Sequence, residues 1–426
     1  MIDLAAFRAA PETFAQAWKD RGESVSVDDL LASDAEVRRL KTQAEGKRAE
    51  ANEASKAIGQ AAREGKDVGA AKEHARQLSE EAKQLDTQRA AAEEALTAAL
   101  LVLPNPCLPS VPQGRSAEDN VEVARWGQPQ AFDFPPKPHW DIAESLGIID
   151  FARGSKLSGS GFVAYRGDGA RLQRALVSFF LDQHRAHGYE EVAPPFLVRP
   201  EIMLGTGQLP KFADQLYATR EDDLLLIPTA EVPVTNLYAG EILEGSRLPL
   251  RFCAHTPCFR REAGAAGIGT RGITRVHQFE KVEMVWITKS EESEAALETM
   301  RAHAEALLQA LGLHYRVLDL CTGDIGFGSA RTYDLEVWSP GTESWLEVSS
   351  VSTCADFQAR RMNLRYRPEP KAKPQIAHTL NGSGLALPRC LIAVLEHYQT
   401  ADGGVEVPAA LRPYLGGQDR LAVNPI

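Results

Sequence analysis

The sequence predicts an α+β protein in which an antiparallel two-helix coiled-coil arm precedes a larger domain of helices flanking an antiparallel β-sheet. Three observations predict this fold class. Residues 1–103 show helical periodicity and almost no aromatic residue after Trp18. A proline-rich segment follows at 101–114. Beyond it, strand-like runs arrive as near neighbours with helical runs between groups of them, which is typical of α+β folds.

Two heptad stripes predict the arm. Apolar residues, many of them alanine, recur at alternating spacings of three and four from Val37 to Ile58 and from Ala71 to Leu103, as in coiled coils. The segment 64–69 reads as a reversal between them. Two helices of about 33 residues, at about 1.5 Å per residue, would give a hairpin about 50 Å long within residues 30–103. On periodicity alone, a plain packed hairpin or a dimerising coiled coil is favoured over a projecting arm that touches a long partner.

The charge balance gives no support to bulk nucleic-acid binding. The chain has 47 basic and 58 acidic residues and a net charge of −11, and acidic proteins bind nucleic acids poorly without a local basic surface. Basic residues near the seam and tip of the predicted hairpin could meet phosphates, but acidic neighbours almost balance them and favour a solvated face. These basic residues are Arg48, Lys56, Arg63, Lys66, Lys72 and Arg76.

The composition, with 44% apolar and 25% charged residues, is that of an ordinary globular protein. No apolar run approaches a membrane span, and the N-terminus shows no signal-peptide pattern. Six cysteines without CxxC pairs fit free thiols in a reducing cytosol. We therefore expect a cytoplasmic protein with no membrane partner. Because proline cannot continue a helix, we place a helical hairpin domain at 1–110 and a second domain at 111–426.

Residues 258–287 carry an unusual set of charged side chains. Arg260 and Glu262 precede a glycine-rich loop, and Arg271 and Arg275 follow it. The sequence contains no Walker A motif and no strand-linked GxGxxG, so the two common nucleotide-binding folds are not expected. A lone arginine or glutamate here would more often be a surface ion pair, but the combination favours a binding pocket.

The alternating run that ends this stretch separates a polar face from an apolar one. Because side chains two apart in a strand share a face, Phe279, Lys281 and Glu283 oppose Val282 and Met284. The second set looks like core. The first set offers a ring to stack on a base and a carboxylate to meet an ammonium. The stretch therefore predicts an enzyme that grips a nucleotide triphosphate and an amine together.

Several motifs resemble those of one family. FRREAG, TRG and RVHQFEKVEM resemble motif 2 of class II aminoacyl-tRNA synthetases, in the form found in seryl-tRNA synthetases. DNVEVARWG and the N-terminal hairpin extend the resemblance over nearly the whole chain. The other segments that resemble this family are GYEEVAPPFLV (188–198, motif 1), IPTAEVPVTNLY (227–238, the serine-binding segment), YDLEVW (333–338), LEVSS (346–350), DFQARRMNLRYR (356–367) and TLNGSGLALPRCLIAVLEHYQ (379–399, motif 3).

The resemblance implies a function for the chain. Such an enzyme uses ATP and Mg²⁺ to join L-serine to serine tRNA through seryl-adenylate, and also charges selenocysteine tRNA where that tRNA exists. It further implies a class II synthetase sheet domain and a homodimer, with the proline of motif 1 at the dimer interface. The N-terminal hairpin would contact the long variable arm of the tRNA, mainly through the RNA backbone.

The same resemblance implies roles for residues around ATP. Arg260 would hold the α-phosphate, Glu262 the adenine amino group and Phe279 one adenine face. Arg389 would cover the other face and reach the γ-phosphate. Arg260, Glu283 and Arg389 would be the catalytic residues, and Glu347 and Ser350 match metal-binding positions. The ATP-contacting set is Arg260, Arg261, Glu262, Val276, Phe279, Glu347, Val348, Ser349, Ser350 and Arg389.

The serine-contacting set follows from the resemblance in the same way. Glu283 is expected to meet the ammonium. Asn381 and Ser383 would lie near the substrate hydroxyl, and a site that satisfies this hydroxyl rejects alanine. Read alone, these two residues would equally suit helix capping. The full set is Thr229, Ala230, Glu231, Glu283, Asn381 and Ser383.

Two local features leave alternatives open. A strict period of two puts Glu347 and Ser350 on opposite strand faces, so we expect either a bulge or a Ser350 that lies beyond the strand. Pro388 would kink a helix that begins near Ser383, but would suit the first turn of one that begins near Leu387. We expect a short irregular start to this helix before Arg389.

Two rival functions remain at this point. A synthetase-like ligase that charges a carrier protein typically lacks the long arm. A non-catalytic RNA-binding or structural paralogue should have lost Arg260, Glu283 or Arg389, and the chain keeps all three. A zinc cluster is not expected, because the spacing of the Cys and His residues at 253–277 matches no structural zinc pattern.

Overall fold

The computed structural model describes residues 1–263 and 271–422. The chain forms two compact units. One comprises Ile2–Lys19 and Glu23–Leu103, and the other comprises Met1, Asp20–Gly22 and the chain from Pro104 onward. The glycine-rich loop of the sequence prediction, at 264–270, lies outside the described residues.

Helices dominate the first unit and flank the sheet of the second. In the described part of the chain, none of them is both long and apolar enough to cross a membrane. The helices are α1 (Leu4–Ala9), α2 (Pro11–Asp20), α3 (Val27–Arg63), α4 (Gly69–Leu101), α5 (His139–Leu146), α6 (Phe151–Ser158), α7 (Asp168–Ala186), α8 (Pro200–Thr206), α9 (Glu231–Thr235), α10 (Ser293–Ala310), α11 (Phe357–Met362) and α12 (Leu387–His397).

The strands all lie in the second unit. They are β1 (Val121–Trp126), β2 (Ile149–Asp150), β3 (Ala164–Tyr165), β4 (Glu190–Glu191), β5 (Leu197–Val198), β6 (Leu225–Leu226), β7 (Ile242–Glu244), β8 (Leu250–Phe259), β9 (Gln278–Thr288), β10 (Tyr315–Asp319), β11 (Arg331–Ser339), β12 (Ser344–Ala355), β13 (Arg365–Arg367), β14 (Gln375–Ile376), β15 (His378–Ala386), β16 (Val405–Glu406) and β17 (Arg420–Leu421).

The antiparallel hairpin that the heptad stripes predict is formed by α3, of 37 residues, and α4, of 33. The hydroxyl of Ser26 accepts a hydrogen bond from the Asp29 amide at 3.4 Å and caps α3. In the second stripe two predicted seam residues, Ala71 and Ala99, are exposed, and Leu100 is buried in place of Ala99. The buried seam residues that were predicted are Leu40, Ala44, Ala51, Ala75, Leu78, Ala82, Leu96 and Leu103.

Each heptad stripe contains one basic residue, and each of these is paired. Lys47 Nζ lies 3.0 Å from a carboxylate oxygen of Glu81 across the seam and 3.4 Å from one of Glu50. Arg89 Nη1 lies 3.2 Å from Glu93. A long side chain can lay its apolar stem along a seam while its charge stays at the rim, so the stripes tolerate these two cations.

The main sheet of the second unit has the strand order β1-β10-β11-β12-β15-β9-β8-β4 in the described residues. Adjacent strands of this sheet run antiparallel, except that β4 and β8 are parallel. Smaller sheets join β13 to β14 and β7, β2 to β3, β5 to β6 and β16 to β17. The antiparallel sheet flanked by helices is the architecture that the sequence predicts.

Two cores cover the two faces of this sheet. Val282, Met284 and Trp286 of β9 pack with side chains of α7, α10 and α12. Val285 and Ile287 of the same strand pack in a second core with α9 and α11. The predicted core face of β9 is therefore confirmed. Toward the start of the strand, the opposite face carries polar residues instead of core residues, and the candidate site lies there.

Candidate active site

Two adjoining cavities open beside β9, β12 and β15. The smaller has a volume of about 220 Å³ and the larger about 470 Å³. Val276, Phe279 and Arg389 of the predicted site line only the smaller cavity. The predicted residues that line only the larger one are Thr229, Glu231, Glu283, Ser350 and Asn381. The residues that line both are Arg260, Glu262, Arg275, Lys281, Glu347 and Ser383.

Arg260 follows β8 and lies on the wall that the two cavities share. Its guanidinium carbon is 5.2 Å from the centroid of the Phe279 ring, a cation–π contact. Its Nε donates to the carbonyl oxygen of Pro228 at 3.3 Å. Its backbone N–H also donates to the carbonyl oxygen of His277, at 2.9 Å. The side chain is therefore held by a ring on one side and a backbone carbonyl on the other.

Glu262 and Arg275 form an ion pair with an oxygen–nitrogen distance of 3.1 Å. Glu262 has a φ of +47°, an uncommon conformation for a residue other than glycine, which turns the chain just after β8. The carboxylate is mostly buried, whereas the Arg275 side chain is half exposed. Arg271, by contrast, lies over the Trp140 ring at 4.6 Å and outside the lining of both cavities.

An ammonium and a carboxylate meet on the floor of the larger cavity. Lys281 is 6% exposed and Glu283 is 1% exposed, and their side chains form an ion pair. Lys281 Nζ also donates to Thr229 Oγ1 at 2.8 Å. Both charged residues come from the predicted polar face of β9. A buried charge of this kind needs an opposite charge beside it, and Lys281 and Glu283 provide this for each other.

Glu231 is a second carboxylate in the larger cavity. Burial, and then the negative charge of Glu283, raise the pKa of its carboxyl to about 7. Gln358 Nε2 donates to Glu231 Oε1 at 2.7 Å, and Gln358 Oε1 accepts from Thr379 Oγ1 at 2.7 Å. The carboxyl is thus fixed by an amide that a hydroxyl orients in turn. Ala230 beside it is fully buried in the second core and lines neither cavity.

A β-bulge brings Glu347 and Ser350 to the same cavity. In the β11–β12 pairing, Leu335 lies opposite Ser349 and Glu336 lies opposite Glu347. One residue of β12 between them, at 348, is therefore extra, and it breaks the strict alternation. The bulge is the first of the two expected explanations, and it is confirmed.

Val348 and Ser349 are members of the predicted ATP-contacting set that do not line the cavities. Val348 is fully buried in the main core. Ser349 Oγ donates to the carbonyl oxygen of Ser383 at 2.6 Å, which ties β12 to β15. Arg261 is exposed, and its backbone N–H donates to the Gln215 carbonyl at 3.0 Å. Any contact of Val348 or Ser349 with a ligand would have to come from the backbone.

Motif 3 runs from strand to helix through a register shift in the pairing of β15 with β9, between Ser383 and Ala386. β15 ends at Ala386 and α12 begins at Leu387, so Pro388 lies in the first turn, where its missing N–H would have no helical partner. The short irregular segment expected before Arg389 therefore lies at the end of β15, and α12 itself is regular from Leu387 onward. Asn381 and Ser383 lie within β15, so their interpretation as helix caps is wrong.

Arg389 projects from the first turn of α12 toward β12. Its Nη1 donates to the carbonyl oxygen of Glu347 at 2.7 Å and lies 3.2 Å from the Glu347 carboxylate. The predicted γ-phosphate ligand and the predicted metal ligand are thus ion-paired with each other. The proline beside Arg389 does not displace it from the smaller cavity.

Sequence reasoning gave no role to some residues of the site. Lys281 was placed on the polar face of β9, and its position there was the available signal. Gln358 lies within a segment that resembles the family, but nothing in its spacing indicates a contact with Glu231. Ser352 lines the larger cavity from β12, two residues beyond Ser350, and alternation after the bulge could have found it.

Comparisons with known proteins agree along the whole chain. A family model described as the tRNA synthetase class II core domain (G, H, P, S and T) matches residues 214–398. One described as the seryl-tRNA synthetase N-terminal domain matches residues 1–107. The serine–tRNA ligase of Nitratidesulfovibrio vulgaris (strain DSM 19637 / Miyazaki F) is 51% identical, with both chains covered completely. That of Acidithiobacillus ferrooxidans (strain ATCC 53993 / BNL-5-31) is 53% identical over 98% of this chain and 99% of its own.

Solved structures resemble the fold closely. Seryl-tRNA synthetase from Pyrococcus horikoshii, solved in complex with ATP, superposes with a TM-score of 0.94 and 36% identity over the full length of both chains. Cytoplasmic serine–tRNA ligase from Naegleria fowleri, in complex with AMP, gives a TM-score of 0.88 and 27% identity over 100% of this chain and 99% of its own. The chain therefore belongs to the seryl-tRNA synthetase family of class II aminoacyl-tRNA synthetases.

Proposed function

We propose that the protein attaches L-serine to serine tRNA with the energy of ATP, by way of a seryl-adenylate intermediate. The observation that carries the proposal is the position of Arg260 on the wall shared by the two cavities. One cavity offers an aromatic ring and arginines, which suit a nucleotide. The other offers buried carboxylates, which suit an amino-acid ammonium. A cation between them suits the reacting carboxylate and phosphate.

The first step needs positioning more than proton transfer. A serine carboxylate oxygen forms a bond to the α-phosphorus of ATP, and the bond from that phosphorus to the pyrophosphate oxygen breaks. Pyrophosphate leaves with the electron pair. Arg260 would hold the α-phosphate and stabilise the charge that develops on it. Arg389 would hold the γ-phosphate end, and Phe279 the adenine ring. In the second step a hydroxyl oxygen of the terminal ribose of the tRNA forms an ester bond to the seryl carbonyl carbon. The bond from that carbon to the phosphate oxygen breaks, AMP leaves with the electron pair, and the hydroxyl proton is released.

Glu347 and Ser350 would hold Mg²⁺, which neutralises phosphate charge when bound. Asp334 lies opposite Ser350 in the β11–β12 pairing, and burial and the charge of Glu347 raise the pKa of its carboxyl. Its Oδ1 is buried and has no hydrogen-bond partner among the described residues. A divalent cation near these oxygens would relieve their repulsion. Mg²⁺ commonly binds through one or two carboxylates together with substrate phosphates.

Polar side chains in the larger cavity would select serine. Asn381 and Ser383 would hydrogen-bond to the substrate hydroxyl, and alanine would leave them unpaired. Threonine would have to be excluded by lack of room for its methyl group. Glu283, Glu231 and Thr229 would surround the ammonium.

The hairpin of α3 and α4 would contact the long variable arm of the tRNA. Some of its exposed cations are paired within one helix, as with Lys56 and Glu53 at 2.9 Å and Arg76 and Glu73 at 2.7 Å. Exposed pairs of this kind contribute little, about 0–1 kcal/mol, so RNA phosphates can compete for the cations. Such contacts would read the shape of the RNA rather than its sequence.

Three further features of the proposal follow from family membership. The protein would act in the cytoplasm and as a homodimer, and it would charge selenocysteine tRNA with serine wherever that tRNA is present. The segment that resembles motif 1 contains Phe196 and Leu197, which are 45% and 43% exposed. Large exposed apolar side chains next to each other suit a protein interface.

Serine-dependent exchange of pyrophosphate into ATP tests the first step. We expect exchange with serine, little with threonine or alanine, and a loss of at least about a hundredfold for Arg260→Met, because charge stabilisation at the phosphate is removed. Exchange that does not depend on serine would contradict the proposal. Exchange with serine but no charging of serine tRNA would instead favour a carrier-protein ligase.

A further inference from the structure

We propose that Lys281 is a mobile counter-ion whose ammonium lies where the substrate ammonium binds, and that serine displaces it toward the phosphates of ATP. The inference rests on the proposed function, since it names a step in the binding of the same two substrates. It assigns to Lys281 the coupling between recognition of the amino acid and neutralisation of the nucleotide.

The contacts of Lys281 are those expected of a substrate ammonium. Its Nζ pairs with the Glu283 carboxylate and donates to Thr229 Oγ1 at 2.8 Å. These are the residues that the resemblance assigns to serine. An ammonium has three donors and no acceptor, so the serine ammonium and Lys281 Nζ compete for the same oxygens. Both cannot hold Glu283 at once without placing like charges together.

The smaller cavity can receive the Lys281 ammonium after serine displaces it. Lys281 lines both cavities, together with Arg260 and Glu347, and its four-carbon stem is flexible. Burying an unpaired ammonium is costly, so the displaced group needs a new anion. The smaller cavity is where the ATP phosphates would lie. The serine carboxylate, which must approach the α-phosphate, adds a second negative charge at the same point.

The number of charges in the cavity favours displacement of the Lys281 ammonium by serine over binding of serine beside it. Glu231 and Glu283 both line the larger cavity, and the Lys281 ammonium pairs with Glu283 and donates to Thr229. Serine brings one positive and one negative charge. If the serine ammonium replaces Lys281 at Glu283, Lys281 becomes available to the serine carboxylate and the α-phosphate, two anions that repel each other as they approach. Each charge then keeps a partner.

Two substitutions of Lys281 test whether serine displaces its ammonium. Lys281→Met keeps the apolar stem and removes the competing ammonium. We expect serine, measured by calorimetry without ATP, to bind this variant at least about threefold more tightly, because its ammonium then meets an unpaired buried carboxylate. We expect kcat for pyrophosphate exchange to fall at least about tenfold, because a cation at the phosphate is lost.

Lys281→Arg tests the same idea with the charge retained. A guanidinium can hold the Glu283 carboxylate through two parallel hydrogen bonds, so we expect serine to displace it less easily and the KM for serine to rise about tenfold. A purely structural ion pair would tolerate arginine with little change in KM. Lys289→Met is the control, since Lys289 pairs with Glu292 at 3.4 Å outside both cavities.

The outcomes separate this inference from the proposed function. If the unmodified protein shows no serine-dependent exchange, the function itself fails. If the unmodified protein is active but Lys281→Met binds serine more weakly, Lys281 is a fixed part of the serine site and serine does not displace it. If Lys281→Met keeps its kcat, the Lys281 ammonium does not act at the phosphates. Either result overturns the inference. Should Lys281→Met not fold, Lys281→Arg decides: an unchanged KM for serine overturns the inference.

Discussion

Two arginines that line the cavities form ion pairs with glutamates of the same cavities. Arg389 lies 3.2 Å from Glu347, and Arg275 lies 3.1 Å from Glu262. The proposed ligands of Arg389 and Glu347, a phosphate and Mg²⁺, carry charges as well, whereas that of Glu262, the adenine amino group, is neutral. Binding of ATP with Mg²⁺ would therefore replace the Arg389–Glu347 pair by pairs with the ligands, and the affinity for each of these two ligands depends on the pair that it breaks.

Removal of Arg389 should separate metal binding from nucleotide binding. In Arg389→Met the Glu347 carboxylate loses its competing cation, so we expect Mn²⁺ alone to bind more tightly, measured by electron paramagnetic resonance titration. The KM for ATP should rise about tenfold or more, because a phosphate contact is lost.

Arg125→Met is the matched control for this change, since Arg125 pairs with Glu122 at 2.7 Å on the edge strand β1 of the same sheet, outside the cavities. Weaker Mn²⁺ binding in Arg389→Met would show that the arginine supports the metal site rather than competing with it.

Glu231 should make the stability of the fold depend on pH. The pKa of its carboxyl is about 7 in the folded protein, whereas an unperturbed glutamate has a pKa of about 4.3. The folded state therefore binds more protons between these values. The contribution of Glu231 to stability is fully present below the lower value and is lost as the pH rises through the upper one.

Glu231→Gln should remove this dependence. Between about pH 5 and about pH 8 we expect the unmodified protein to lose more stability than the variant, with a difference on the order of 3 kcal/mol. Thermal unfolding at several pH values measures it. Glu369→Gln, an exposed position, is the control. Parallel pH profiles for Glu231→Gln and the unmodified protein would contradict the assignment.

At the level of single residues, the sequence predicts which side chains gather but not how they pair. Alternation alone placed Phe279 and Glu283 on one face of β9. The contact of Arg260 with the Phe279 ring, and that of Gln358 with Glu231, each depend on side-chain directions in two separate segments of the chain. No spacing within one element contains that information.

At the level of elements, β9 shows how one strand serves two purposes. Its even-numbered residues Val282 and Met284 belong to the main core, and the odd-numbered Lys281 and Glu283 line the larger cavity. The period of two made this predictable. The bulge in β12 was predictable only as one of two explanations, because its position depends on pairing with β11.

The beginning of α12 allows a test of the fold itself. Pro388 occupies the first turn, where proline removes no helical hydrogen bond. We expect Pro388→Ala to lower the free energy of unfolding by no more than about 1 kcal/mol, through greater freedom of the unfolded chain. Ala393→Pro, in the interior of the same helix, should cost about 3 kcal/mol or more.

Denaturant unfolding of both variants measures these changes. A large loss for Pro388→Ala would mean that the proline stabilises the turn in a way that its place in the helix does not explain.

At the level of the whole molecule, the chain combines two units of different construction. The first is a hairpin with an alanine-rich seam, and the second has two cores on either face of a sheet. Composition and heptad periodicity made the difference between the units visible in the sequence. The strand order of the sheet could not be predicted from the sequence, since neighbouring strands such as β1 and β10 are distant in the chain.

Replacing residues 34–101 with a short glycine-serine linker should separate two activities. The second unit keeps both of its cores, so we expect serine-dependent pyrophosphate exchange to persist. Charging of serine tRNA should fall about a hundredfold or more, because the proposed contacts of the hairpin with the RNA would be lost.

A hairpin shortened only at its tip, by removal of residues 58–74, is the matched variant and locates the contact along the arm. Unaffected charging by the long deletion would defeat the proposed role of the hairpin, whereas loss of exchange would show that the deletion disturbs the second unit.

The position of Arg260 over the Phe279 ring bears on inhibitor discovery. A flat aromatic fragment that stacks on this ring must displace a guanidinium from it, and a neutral fragment offers that cation no anionic partner. A fragment that joins a flat ring to an anionic group can stack on the Phe279 ring and pair with the Arg260 guanidinium at the same time. Fragment libraries screened against this enzyme should therefore give few neutral aromatic hits, and linked ring–anion compounds are the better starting points.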